Sequence, residues 1–197
     1  MIVFTVDDNG MVQTIANQLG EYADKAPTVL KQALNATAKV VRSMLAEQAK
    51  DIYIVQKSKF NKAMKIKNAS ARKLEALIVT AGAPLELIDF KANPKKPSTG
   101  SARPDVMTGK VLVQNSMKRL EMGNLKAFVA KFKSGHVSIV QRKGPERLPV
   151  KKLLSPSIPK MIGNEKQVYG EVEPKIAELL DANIRKYITR TLEVKKA

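Results

Sequence analysis

One segment repeats its apolar residues at the helical period for longer than any other, and it fixes the scaffold to which the rest must attach. Leu30, Leu34, Thr37, Val41, Met44, Gln48 and Ile52 follow steps of three and four, and Val29, Ala33, Val40, Leu45 and Ala49 widen the stripe. Side chains so spaced return to one face of a helix, which predicts an amphipathic helix from about Pro27 to about Asp51. Pro27 suits a first turn, where its missing N–H would have had no partner, and Asp24 or Thr28 is expected to cap the helix. Ahead of it Val12, Ile15, Leu19 and Tyr22 mark a shorter helix. Near the other end Val168, Val172, Ile176, Leu179, Leu180, Ile184, Tyr187, Ile188 and Leu192 repeat in the same way. Pro174 interrupts that run, so a break near Glu173 and a main helix from Pro174 to about Glu193 are expected.

Between the helices the period falls to two. Met1 to Val6 alternates weakly and reads as an edge strand or an extended arm, bounded within residues 1–10. Lys57 to Lys67 carries Lys57, Lys59, Lys62, Lys65 and Lys67 around Phe60, Ala63 and Met64, which predicts a short helix with a cationic face. Leu74 to Ala81 is a strand with two partly buried faces; after Gly82 to Pro84 a second runs from Leu85 to Phe90. Residues 91–109 hold Pro94, Lys95, Lys96, Pro97, Gly100, Arg103 and Pro104 without any period, a long basic loop. Lys110 to Asn115 is a short strand. Phe128, Ala130 and Phe132 then alternate with Val129, Lys131 and Lys133, and Ser134-Gly135 turns the chain. Val137, Ile139 and Gln141 form the returning face of a β-hairpin. Its buried side is expected to hold Phe128, Phe132, Val137 and Ile139. Helices, then strands, then a helix argue for an α+β fold in which the long N-terminal helix packs on a small, mostly antiparallel sheet. The 197 residues are read as one domain.

The charge is unusual: 35 Lys and Arg against 18 Asp and Glu, a formal net charge of +17. Such a field attracts polyanions, whether nucleic acid or acidic protein surfaces. Aromatic residues are only 5% and Trp is absent, so the core rests on aliphatic side chains. With no cysteine, disulfides, thiolate metal sites and cysteine catalysis are excluded. No apolar run approaches about 18 residues, and Asp7-Asp8 stand where a signal peptide would be basic; neither a membrane span nor a signal peptide is expected.

Catalytic chemistry finds no footing. His136, the only histidine, falls in the hairpin turn and reads as a solvated turn residue with no activating partner. Thr108-Gly109-Lys110 is like the end of a phosphate-binding loop, but Pro104 stands where the upstream glycine is needed and Val111 where a hydroxyl should hold magnesium. Asp7-Asp8 has no second carboxylate cluster with which to share a metal. No cofactor is implied. Asn35-Ala36-Thr37 and Asn68-Ala69-Ser70 match the glycosylation pattern but imply nothing without a secretory route. The candidate contact residues are therefore cationic: Lys57, Lys59, Lys62, Lys65 and Lys67, and in the loop Lys95, Lys96 and Arg103. The first group has Phe60 as its one aromatic, too little for the stacking by which single-strand binders hold bases.

The stretch from Ala127 to Ile162, AFVAKFKSGHVSIVQRKGPERLPVKKLLSPSIPKMI, orders the hairpin, an R-x-G before R-L-P-V and a later S-P-S-I-P. It resembles the signature region of the prophage minor tail protein Z family, and Ala26-Pro27 before the Ala-rich helix with Leu34-Asn35 is similar to that family's opening. The resemblance implies a non-enzymatic structural protein of a tailed-phage virion, made in the host cytoplasm. It further implies action in tail completion and head–tail joining, as a subunit of a ring at the head-proximal end of the tail. Expected partners are other copies of itself, tail terminator or tail tube proteins and head-connector proteins, with non-specific contact to DNA in the neck and none with membrane. The competing reading is a basic nucleic-acid-binding protein. A small hydrolase or nuclease ranks last.

Overall fold

The computed structural model describes residues 2–4, 8–98 and 104–194. In chain order its first elements are β1 (Ile2–Phe4), α1 (Asp8–Leu19), α2 (Ala26–Ile52), α3 (Lys57–Ala63), β2 (Met64–Lys67), β3 (Ala76–Thr80), β4 (Pro84–Glu86), β5 (Lys91–Asn93) and β6 (Thr108–Lys110). There follow β7 (Lys118–Arg119), β8 (Glu121–Met122), β9 (Leu125–Lys131), β10 (Val137–Arg142), β11 (Val150–Lys152), β12 (Leu154–Ser157), α4 (Ile158–Ile162), α5 (Tyr169–Val172) and α6 (Pro174–Val194).

Helix α2 is the spine. The side chains of its first half, Val29, Leu30, Ala33, Leu34 and Ala38, pack with Ile15 and Leu19 of α1 and with Leu180, Ile184 and Ile188 of α6. Those of its second half, Val41, Leu45, Ala46 and Ala49, are buried with Phe60, Met64, Ile78, Phe90, Ile139, Met161 and Ile162. Helix α6 runs antiparallel to α2: Ile176 and Leu179 near its start join the second group, and Leu180 onwards the first. Between them Asn183 Nδ2 donates to Thr37 Oγ1 at 3.0 Å, which satisfies a polar pair in an apolar seam. Neither Asp24 nor Thr28 caps α2, because a 3-10 turn over Gly20–Lys25 runs straight into it. The Ala26 N–H already bonds the Ala23 carbonyl, so fewer donors are left for a side chain to satisfy. Gly20, at φ +56°, ends α1 in the left-handed conformation that glycine adopts without cost.

All strand pairs among the described residues are antiparallel, and the fold is α+β. Strand β3 lies between β1 and β2; β10 lies between β9 and β11, with β8 beyond β9; β6 lies between β5 and β7; and β4 pairs with β12. Four sequence expectations change here, the first being the strand read over Lys110 to Asn115, since β6 ends at Lys110 and only an isolated Leu112–Tyr53 bridge follows within that stretch. Only Lys57–Ala63 is helical, because from Met64 the chain pairs with β3, Ile66 opposite Ile78, and Met64 is buried. The strand expected to reach Phe90 stops at Glu86, and Leu87–Asp89 forms a 3-10 turn closed by Phe90 N–H on the Leu87 carbonyl. The 91–109 stretch is not all loop, since β5 and β6 pair at its two ends, Lys91 opposite Lys110 and Asn93 opposite Thr108. Strands of three residues are too short to print a period on a sequence.

The hairpin exists as read, but its faces differ. Ile139 is fully buried, whereas Phe128, Phe132 and Val137 are half-buried and Ala127 and Val129 take the buried places on β9. Four consecutive residues of β10, Ser138 to Gln141, are buried. This strand lies inside its sheet with the Leu87–Asp89 turn packed against it, and a strand covered on both faces loses its alternation.

Asn35, half of a glycosylation pattern, serves packing instead. Its Nδ2 donates to the Ala69 carbonyl at 3.1 Å and its Oδ1 accepts from the Ala69 N–H at 2.7 Å, tying α2 to the loop between β2 and β3. Asn35→Ala is expected to cost about 1–3 kcal/mol, since two partly buried backbone groups lose their partner; a urea midpoint equal to wild type would show that water replaces both bonds.

Candidate partner-binding face

The excess of positive charge is confined to one part of the molecule. Residues 54–160, which carry α3 and the strands β2 to β12, hold 23 Lys and Arg against 6 Asp and Glu, while the remainder holds 12 of each. That remainder, which carries α1, α2, α5 and α6, is neutral overall, and the strand-bearing part carries the whole excess. Counted by segment, this was available from the sequence; counted over the whole chain, it was not visible.

Within that part the structure divides the first group of lysines. Lys65 and Lys67 are exposed on β2, alternating with buried Met64 and half-buried Ile66, so they stand on the outer face of the β1–β3–β2 sheet. Lys62 is exposed on the last turn of α3. Lys59 turns the other way and pairs with Asp89 at 2.9 Å, and Lys57 pairs with Glu47. Glu47 also accepts from Lys50 at 3.1 Å, and the hydrogen bonds from Lys57 first and Lys50 second hold its carboxyl below the ordinary value. Phe60 is fully buried and offers no platform for a base. That removes the stacking support a single-strand nucleic-acid reading would need.

The two basic runs meet. Lys57 and Lys95, far apart in the chain, line one open groove of about 640 Å3 together with Lys50, Lys91, Tyr53, Ile54 and Val113. Lys91 and Lys95 make no ion pair among the described residues. Lys96 is exposed beside them, and Arg103 lies outside the described residues. The chain leaving α2 is fastened here: Ile54 N–H bonds the Val111 carbonyl and Val113 N–H the Ile52 carbonyl, both at 2.9 Å. Sequence reasoning missed Lys50, Lys91 and the aliphatic floor, since nothing in local order joins them.

A second polar cluster corrects the reading of His136 as a turn residue without a partner. Its Nε2 lies 2.9 Å from Glu86 Oε2, and Lys152 Nζ lies 2.6 Å from Glu86 Oε1. The Ser138 hydroxyl, wholly buried, faces the same carboxylate without reaching hydrogen-bond geometry to any group. Partial burial pushes the Glu86 carboxyl up, but Lys152, then Ser138 and His136, more than offset this and hold its pKa at about 2. The His136 ring stacks on Phe132, with centroids 6.1 Å apart, and Lys152 Nζ stands 5.6 Å from the Phe132 centroid. The cluster pins the hairpin turn to β4 and β11. It holds no nucleophile aligned on a base, and its chemistry is that of a clamp. Among the described residues no three His, Asp or Glu side chains gather as a metal site, and no helix is long and apolar enough to cross a membrane.

A family model described as prophage minor tail protein Z matches residues 9–195, nearly the whole chain. No curated protein and no solved structure matches it.

Proposed function

The chain belongs to the prophage minor tail protein Z family and is a structural component of a phage tail; we propose that in the virion it acts in tail completion and head–tail joining, as a subunit of a ring at the head-proximal end. The observation that carries this reading is the charge division, 23 cations to 6 anions in the strand-bearing part and parity elsewhere. Subunits of like charge repel when brought together, so the basic part must meet something anionic in the particle while the neutral helical layer is free to pack against other copies. A neck offers two such surfaces, the DNA that passes through it and acidic faces of adjoining proteins. The isolated protein is expected to be a monomer or small oligomer, entering a ring only with its partners. A stable closed ring of the purified chain, seen by light scattering at low salt, would overturn this account of the charge.

The decisive test is genetic. Particles made without the chain are expected to accumulate as free heads and free tails, and resupplying it should restore joining. Replacing Lys95, Lys96 and Arg103 together by Gln should lower the yield of joined, infectious particles. The melting temperature of the protein should hardly move, since Lys95 and Lys96 are exposed and exposed charges contribute little to stability. Normal joining with the triple variant would reduce these three residues to a solvated surface.

A further inference from the structure

The groove lined by Lys57 and Lys95 combines two properties found together at no other surface described above. Its floor is aliphatic, with Val113 47% exposed and Ile54 half-exposed beside the edges of Tyr53 and Phe90. Its rim is cationic but uneven. On the bank made by the end of α2 and the start of α3, Lys50 and Lys57 are already engaged by Glu47; on the bank made by β5 and the residues just after it, Lys91 and Lys95 are unpaired among the described residues. We propose that this groove receives an extended acidic segment of another tail protein, with aliphatic side chains on Ile54 and Val113 and carboxylates turned toward Lys91 and Lys95. The proposal deepens the reading above by naming the chemistry of the neighbour, and it rests on that reading for the neighbour's being a tail protein.

Three observations favour this occupant. First, β5 is an edge strand of the β5–β6–β7 sheet, and its first residue, Lys91, lines the groove. Strand edges of this kind take up extended peptides, main-chain hydrogen bonds supplying affinity and alternate side chains selectivity. Second, DNA fits the site poorly. The lining holds no arginine, and a phosphate backbone gains nothing from an aliphatic floor. Third, a second copy is the weaker fit, because outside its basic part it offers as many cations as anions.

The experiment uses the whole chain and three fluorescent probes: a short peptide alternating Glu with Leu, the same peptide with Ser for every Leu, and a short DNA duplex. The Glu–Leu peptide should bind wild type most tightly, and the Glu–Ser peptide several-fold more weakly. Lys91→Gln with Lys95→Gln should weaken the Glu–Leu peptide about tenfold, a loss of about 1.4 kcal/mol. Val113→Ser should erase the preference for Leu over Ser. Circular dichroism melts should leave both variants folded, since every replaced side chain is exposed. No binding of the Glu–Leu peptide, or binding equal in wild type and both variants, overturns the proposal. Tighter duplex binding that is lost with Lys91→Gln and Lys95→Gln overturns it in favour of phosphate, and self-association lost in the same variant overturns it in favour of a second copy. Mass spectrometry of purified tails separates this outcome from the functional reading. A chain present in tails that binds no peptide sinks only the groove, whereas a peptide-binding chain absent from tails sinks only the tail assignment.

Discussion

Phe60→Ala should destabilise the protein by about 3–5 kcal/mol, the range for deleting a fully buried aromatic ring, whereas Phe132→Ala should cost about 1–2 kcal/mol. Phe60 is 0% exposed and lies among core residues that include Leu45, Met64 and Ile78. It is also the one buried residue of α3, a helix too short to persist without tertiary anchoring. Without the ring, Lys57 and Lys59 lose their placement along with the core contact. Phe132 is half-buried and touches His136 and Lys152, which can shed the contact into water. For a chain of this size about 2–4 °C of melting temperature accompanies each kcal/mol, so Phe60→Ala should melt about 10 °C below wild type. The reverse order of the two variants would mean that the hairpin's aromatic face, and not α3, anchors the core.

These two phenylalanines also show where the sequence was informative. Helices α2 and α6 were legible because their apolar stripes run for many turns, long enough for the period to outweigh any one residue. The hairpin was legible from Ser134-Gly135 between alternating strands, and Gly135, at φ +84°, occupies the conformation such a turn demands. Which hairpin residues were buried was not legible, because β10 is covered on both sides and alternation reports burial only when one face meets water. Phe60 read as an aromatic among lysines, and its depth became clear only once α3 was seen packed beneath α2. The same limit governs the candidate site. Each lysine was visible as charge, yet the meeting of Lys57 with Lys95 and of Glu86 with His136 depends on contacts that close only when distant segments pack. Val113 carries no local mark at all. It is an exposed aliphatic residue of a kind that surfaces hold singly without meaning, until the groove gives it neighbours.

Glu86→Gln should remove a stabilising contribution whose pH dependence identifies its source. In the folded protein the Glu86 pKa is about 2, below the ordinary 4.5, because Lys152, Ser138 and His136 offset the effect of its burial. A carboxylate whose pKa is depressed on folding stabilises the folded state above its unfolded value, and that stabilisation fades as pH falls from about 4.5 through about 2. The shift sets a ceiling of about 3 kcal/mol, and screening at half-exposed His136 and Lys152 brings the expected contribution to about 1–2 kcal/mol. Urea melts at neutral pH should therefore place the variant below wild type by that amount, and the gap should narrow through pH 4 and pH 3. Other carboxylates titrate over the same range in both proteins, so the difference between the two is the quantity to follow. Without its carboxylate, the clamp on the hairpin turn should also loosen, and amide exchange at His136 and Val137 should quicken more than at Ile78 in the core. A gap that stayed constant from neutral pH down to pH 3 would show that Glu86 acts through packing alone and that its contacts with Lys152 and His136 carry no net stability.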